Sequence, residues 1–392
     1  MRLLLIVLLI AIIFLLLKLF KTLKINLLIT IICSLIILQM ILNPNLCIRY
    51  TISGAKLFFN AVFPSLFPFL VLINIIINYD GINIYSKLLG NIICKPLKLP
   101  KESTIALIVS VLCGYPLGAR YTCDLYEKKL IDLVTCERLL NIASNASPLF
   151  VIGTVGASMM SNSKIGYVLL LSNILSCLFM GFIIPSKNSF NKKNIKDNSI
   201  KKNLNTNINI GIVFKNSIED AIKNCLNIGG FIVIFSVITG IVKDNVIFHI
   251  ALNKLSLLVG FSSDFIQGLI LGMLEITNGC NLISSSNSSL IVKLPTLSFL
   301  IAFSGLSIIS QVYSYTYKYN VSIKKYVVRK FIQAIVSSIS SIILYYVFLH
   351  TTSVFAFNNV IIYSTSNLYI LILFILFTPI FLANIIKLFH TS

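Results

Sequence analysis

Two short stretches place chemically capable residues where an apolar run should continue. The first is CGYPLGAR, residues 113–120, directly after TIALIVSVL. It sets Gly114, Pro116 and Gly118 beside Arg120. Glycine admits backbone shapes that other residues resist. Proline removes a backbone donor and stops a helix from continuing. A break of this kind exposes N–H groups, and a half-helix N-terminus favours an anion. The turn Gly114–Tyr115–Pro116–Leu117–Gly118 offers such donors, and Arg120 adds a fork that fits a carboxylate through two hydrogen bonds. Asn145 and Ser147, ahead of Pro148, supply polar donors where the next helix starts. The second stretch is LGMLEITNG, residues 271–279, with Glu275 and Asn278. A carboxylate at membrane depth is costly and by default functional. Glu275 would bind a proton or a cation, or pair with Arg120 or a hairpin amide. Gln311, in SIISQVYS, is a further polar candidate. Competing readings are structural. Arg120 snorkels or pairs with Asp124 four residues on, and the glycines and proline serve helix packing.

Composition sets the setting for this chemistry. Of 392 residues, 57% are hydrophobic and 11% charged, and the mean hydropathy is +0.94. Soluble chains carry about a quarter charged residues. Runs at 3–17, 167–184 and 368–386 approach the roughly 20 residues that cross a bilayer core. The runs lack the alternation of barrel strands, so the chain reads as an all-α polytopic membrane protein. The net charge of +20 does not indicate nucleic acid, because the lysines sit between apolar runs rather than on one basic face. The nine cysteines are scattered without a Cys-x-x-Cys pair, and the three histidines do not cluster. No metal and no cofactor are expected. There is no Ser/His/Asp arrangement, no GxGD-like aspartate pair and no Walker motif, so the chain is not expected to be an enzyme.

Charge placement orients the spans. Cytoplasmic loops collect Lys and Arg. KLFKTLK (18–24), KLLGNIICKPLKLPK (87–101), the block 186–207 with six lysines and one aspartate, and YKYNVSIKKYVVRK (317–330) are therefore inner segments. All four lie inside only if the segments around 104–123 and 264–282 enter and return. The result is about nine transmembrane helices plus two re-entrant hairpins. DLYEKKLIDLVTCERLL (124–140), with Glu137 and Arg138, reads as a solvated inner amphipathic segment.

The halves echo one another. Pro68 precedes Gly114 by 46 residues, and Gly229 precedes Glu275 by the same 46. Each break is followed by a small-residue helix start, SNASPLFVIGTVGASMM and FSGLSIISQVYSY. Opposite orientations of the halves make this an inverted repeat, the arrangement of many secondary transporters. The expected organisation is N-terminal helices over 1–44, a first repeat over 45–185 and a Lys/Asn-rich linker over 186–211. A second repeat over 212–350 and a C-terminal helix and tail over 351–392 complete it.

CGYPLGARYTCDLYEKKLID, CERLLNIASNASPLFVIGTVG, LGMLEITNG and FSGLSIISQV together resemble the YlbJ-type sporulation integral membrane proteins, which carry the nucleoside recognition, or Gate, domain. The resemblance covers about residues 45–350. It implies a spore-forming bacterium, a place in the mother-cell side outer forespore membrane, and a part in accumulating dipicolinic acid. The Gate name does not by itself establish a nucleoside substrate. The expected activity is a transporter or channel for a small organic anion, with the lipid bilayer and that anion as partners. The alternatives are a non-transporting scaffold for spore envelope assembly and a nucleoside-type transporter.

Overall fold

The computed structural model describes residues 25–185 and 209–350. The run at 3–17, the lysine-rich block 186–207 and the run at 368–386 lie outside the described residues. Every described element is helical.

The first half opens with α1 (Ile25–Leu42) and α2 (Pro44–Leu57), which continues through a π-turn at Phe58–Val62 into α3 (Phe63–Asn78). The short α4 (Gly81–Ile93) follows. A hairpin of α5 (Thr104–Cys113) and α6 (Leu117–Glu127) comes next. Then α7 (Leu133–Ile142) is separated by a break from a π-helical segment, Leu149–Met159, and α8 (Ser163–Ile183) closes the half. The second half repeats this order. It has the long α9 (Ile210–Lys243), the short α10 (Val246–Val259), and a hairpin of α11 (Ser263–Leu274) and α12 (Ile276–Ser285). A helix broken into α13 (Leu290–Phe303) and α14 (Gly305–Thr316) follows, and α15 (Ile323–Tyr345) ends it.

Local chemistry sets the helix starts. Asp132 accepts from the Thr135 amide at 2.9 Å, Asn162 from Lys164 at 2.9 Å and Asn245 from Ile247 at 2.9 Å. Each satisfies an amide that the first turn leaves without an intrahelical partner. Four described helices are long and apolar enough to cross a membrane, and seven spans result if each of three sharply bent helix pairs counts as one. Leu257 and Leu258 are about 85% exposed on α10. Large apolar side chains on the outside, with buried serines and asparagines inside, are the pattern of a bundle surrounded by lipid. The chain is a multi-pass integral membrane protein.

The halves dock through their long helices. On the α2–α9 contact a Cβ on Gly54 would lie 2.8 Å from the Ser236 hydroxyl, and one on Gly229 would lie 2.9 Å from the Phe58 ring. These small residues let the helix backbones approach closely. At the other contact, α8 lies along α15. Across the halves, α6 packs on α14, and α12 packs on the π-helical segment. Each hairpin's second arm thus meets the broken helix of the other half.

The helix pair α13 and α14 is broken at Ser304–Gly305, where both residues are left-handed (φ 71° and 74°). Two expectations change. The basic segment 317–330 does not stay a loop: α15 begins at Ile323, and Lys330 has no exposed surface. Arg138 is buried rather than solvated. Its guanidinium donates to the carbonyls of Ile184 at 3.0 Å, Lys98 at 3.1 Å and Gly181. Ile184 and Gly181 close the C-terminal turn of α8, whose last carbonyls lack intrahelical partners, so the cation serves that helix end.

Candidate functional site

The first break is built from Gly114, Tyr115 and Pro116 against the Asn145–Ser147 segment. Gly114 takes φ +81°, and a Cβ there would lie 2.4 Å from the Ser147 amide nitrogen. Only glycine fits a positive φ against backbone this close. The Tyr115–Pro116 bond is cis. The Tyr115 amide donates to the Asn145 carbonyl at 2.7 Å. Asn145 donates from its own amide (3.1 Å) and its side chain (3.0 Å) to the Ser110 hydroxyl on α5. Ser147 accepts from the Phe150 amide at 3.3 Å and so starts the π-helical segment. Gly118 sits past the turn, inside α6. A Cβ there would lie 2.1 Å from the Ala143 carbonyl, so this glycine permits close packing rather than offering an open donor.

The second break is built alike from the other half. Glu275 ends α11 and caps α12, with one carboxylate oxygen accepting from Thr277 N (3.0 Å) and the other from Asn278 N (2.9 Å). Asn278 therefore contributes its backbone amide. The hairpin arms meet at Gly272 and Gly279, where a Cβ on the latter would lie 2.1 Å from the former's Cα. The Ser304–Gly305 break lies against the same turn, with the Gly305 Cβ position 3.1 Å from the Gly272 carbonyl.

Tyr115 joins the two breaks. Its hydroxyl donates to the Ile301 carbonyl on α13 at 3.1 Å. Its ring packs on the buried cluster that holds Ile276, Cys280, Leu297 and Ile301.

Arg120 and Glu275 do not share this space. Glu275 is 3% exposed and satisfied by its own helix start. Arg120 instead lines a polar cavity of about 160 Å³ with Asn74, Asp124, Lys128 and Asp220. Its guanidinium carbon lies 5.5 Å from the Tyr121 ring centre, and one terminal nitrogen is buried without a hydrogen-bond partner. No ion pair joins Arg120 to Asp124 among the described residues. Tyr121 donates to Asn74 at 2.8 Å and Asn74 to the Ser217 carbonyl at 3.3 Å, which ties α6, α3 and α9 together at the cavity wall. Gln311 lies on α14, 3% exposed, close to Ser307, with its carbonyl oxygen unpartnered.

The residue that sequence reasoning missed is Lys330. Its ammonium donates to the Ser144 hydroxyl at 3.1 Å and the Ser144 carbonyl at 3.3 Å. It also lies 5.7 Å from the Tyr115 ring centre. Around it Ser144 shares a 3.2 Å hydrogen bond with Tyr326, and Gln333 donates to Cys177 Sγ at 2.9 Å. The ion pairs among the described residues are Arg49–Asp244, Lys215–Glu219 and Lys325–Glu137, and Lys330 is in none of them. A spacing signal existed: Lys330, Gln333, Ser337 and Ser341 recur at +3, +7 and +11, which is one helix face. The run of lysines before it masked that signal.

At the loop end, Tyr319 donates to Glu127 at 2.9 Å, and Lys325 reaches Glu137 at 3.5 Å. Burial, then the bond to Glu127, hold the Tyr319 hydroxyl above its usual pKa. It stays a protonated donor at physiological pH.

Comparison with known proteins agrees with an integral membrane protein. No solved structure matches the chain. The chain is 24% identical over 320 residues, covering 77% of itself and 78% of the relative, to the sporulation integral membrane protein YlbJ of Bacillus subtilis (strain 168). Residues 59–188, which run from the π-turn at Phe58–Val62 past the first hairpin and α8, match the Gate family model, described as nucleoside recognition.

Proposed function

We propose that the protein is a transporter or channel that moves a small organic anion across a membrane during spore formation, with dipicolinic acid as the anion. One observation carries the reading. Four broken elements, two from each half, gather where Tyr115 of one half bonds Ile301 of the other. Irregular backbone at membrane depth is tolerated where it is enclosed by protein or lines a wet path, and such breaks mark substrate sites in transporters. The relative's name supports the sporulation setting, and the resemblance in the sequence supports the outer forespore membrane and the dicarboxylate. In this reading the two halves lie inverted, the chain does no covalent chemistry, and Arg120 lines a mouth on the cytoplasmic side.

Uptake of labelled dipicolinate into vesicles containing this protein alone tests the proposal. Saturable uptake above empty vesicles is the expected result. Vesicles with correctly inserted protein and no uptake would leave a scaffold for the spore envelope as the better reading.

A further inference from the structure

We propose that Lys330 is the charge that binds a carboxylate of the transported anion, in place of the Ser144 cap and in a site completed by Asn145, Gln333 and the Tyr115 ring. The proposal rests on the transport reading for the identity of the ligand, but the site is argued from separate observations.

The first is an uncompensated cation. Lys330 is completely buried, about 10 Å along α15 from Ile323 at 1.5 Å per residue. Lysines inside membrane bundles are rare, and they pair with an opposite charge or mark a substrate path. Lys330 has no carboxylate partner among the described residues. An ammonium has three donors. Both of the hydrogen bonds that Lys330 makes go to the single residue Ser144.

The second is a set of unused amide arms. Asn145 and Gln333 are buried at 3% and 0% exposure, and each has a carbonyl oxygen without a partner. The Asn145 amide nitrogen points at the Ser110 hydroxyl, and that of Gln333 at the Cys177 thiol (2.9 Å) and, at 3.5 Å, the Ser176 hydroxyl. A hydroxyl and a thiol can donate as well as accept, so either amide can be turned end for end. Turned, Asn145 keeps Ser110, Gln333 keeps Cys177 at the cost of the long Ser176 contact, and each presents a free NH₂. Asn145 neighbours Ser144 in the chain, and Gln333 lies one turn beyond Lys330 on α15.

The third is where the cap sits. Ser144, which occupies the ammonium, belongs to the irregular link between α7 and the π-helical segment rather than to a helix. A carboxylate that displaces Ser144 needs a shift of this link, and the link is packed on the Gly114 break. Binding is thereby coupled to the hairpin of the first half. The Tyr115 ring beside the ammonium supplies a face on which a planar ligand stacks.

The test uses the full-length protein in detergent and in vesicles. Radiolabelled pyridine-2,6-dicarboxylate is the probe, and its uncharged diamide is the competitor. Wild-type protein should bind the dicarboxylate and not the diamide. Lys330→Met should weaken dicarboxylate binding about 30-fold or more, with the preference over the diamide gone. Ser144→Ala keeps the charge and removes one competing contact, so it should bind at least as tightly as wild type. Binding by folded Lys330→Met within about threefold of wild type overturns the site, as does loss of binding in folded Ser144→Ala. Absence of dicarboxylate binding by wild type overturns it too. Binding that depends on Lys330 without uptake into vesicles keeps the site and sinks the transport reading. Uptake that survives Lys330→Met does the reverse.

Discussion

The Tyr115 hydroxyl donates to the Ile301 carbonyl at 3.1 Å, and this bond links the broken turn of one half to the broken helix of the other. Ile301 lies three residues before Ser304, where α13 ends. The bond therefore spans two places where the backbone is already interrupted, and it couples any movement of one hairpin to the other half.

Tyr115→Phe removes that bond and keeps the ring beside Lys330. A buried hydrogen bond contributes about 1 kcal/mol net. We expect a small drop in thermal stability with dicarboxylate binding retained within about threefold, and a larger loss in transport rate. Equal losses in binding and rate would remove the role of Tyr115 in coupling the halves.

Gly114→Ala places a methyl group 2.4 Å from the Ser147 amide on a backbone of positive φ. We expect transport to be abolished and the protein to be recovered poorly. Gly260→Ala is the control, because Gly260 also has positive φ (+75°) but nothing lies within 4 Å of its Cβ position. It should cost about 1 kcal/mol and leave uptake within twofold. Melting curves and uptake assays on both variants decide the matter.

Glu275 acts as a helix cap in this conformation, with both oxygens engaged. Glu275→Ala should destabilise the protein by about 1 kcal/mol. Glu275→Gln retains one acceptor oxygen and should lie between, with the pH profile of uptake unchanged. A shifted profile in Glu275→Gln would show that the carboxylate carries a coupled proton instead.

Arg120 presents a partnerless nitrogen in the cavity shared with Asp124 and Asp220. Arg120→Ala should raise the half-saturation concentration for the anion about tenfold and spare the maximal rate. Arg120→Lys should restore it incompletely, because a point charge lacks the planar fork. Uptake kinetics over a range of anion concentrations give both numbers, and an unchanged half-saturation would reduce Arg120 to an interfacial anchor.

Orientation is open to labelling. Arg49 and Asp244 pair at one end of the α2–α9 contact, 3.3 Å apart, and Lys325 and Glu137 meet at the other end of the bundle. Single cysteines at Lys128 and Lys318 should react only with inner reagent, and one at Asn245 only with outer reagent. The block 186–207 should label with the inner set. The opposite pattern would invert the topology proposed here.

Both breaks were legible in the sequence, because glycine, proline and a carboxylate inside apolar runs interrupt a helix that the surrounding residues would otherwise continue. The grouping of the polar residues was not. Arg120 and Glu275 look equivalent as lone charges beside breaks. Yet Arg120 lies four residues past its turn and is carried by α6 toward α3 and α9, whereas Glu275 is the break residue and closes on the amides it precedes. Lys330 was hidden for the opposite reason. It ends a run of basic residues that reads as solvated, and only the start of α15 at Ile323 turns its side chain inward.

Composition and the placement of charge were enough to determine a helical, multi-pass membrane protein with interrupted segments, because lipid gives the backbone no partner except itself. Which interruptions meet was decided by the tertiary structure. Contacts such as Tyr115 with Ile301 and Lys330 with Ser144 join residues 186 positions apart. They exist because α8 lies along α15 and each hairpin packs on the other half's broken helix, and helical periodicity within one segment carries no information about its neighbour.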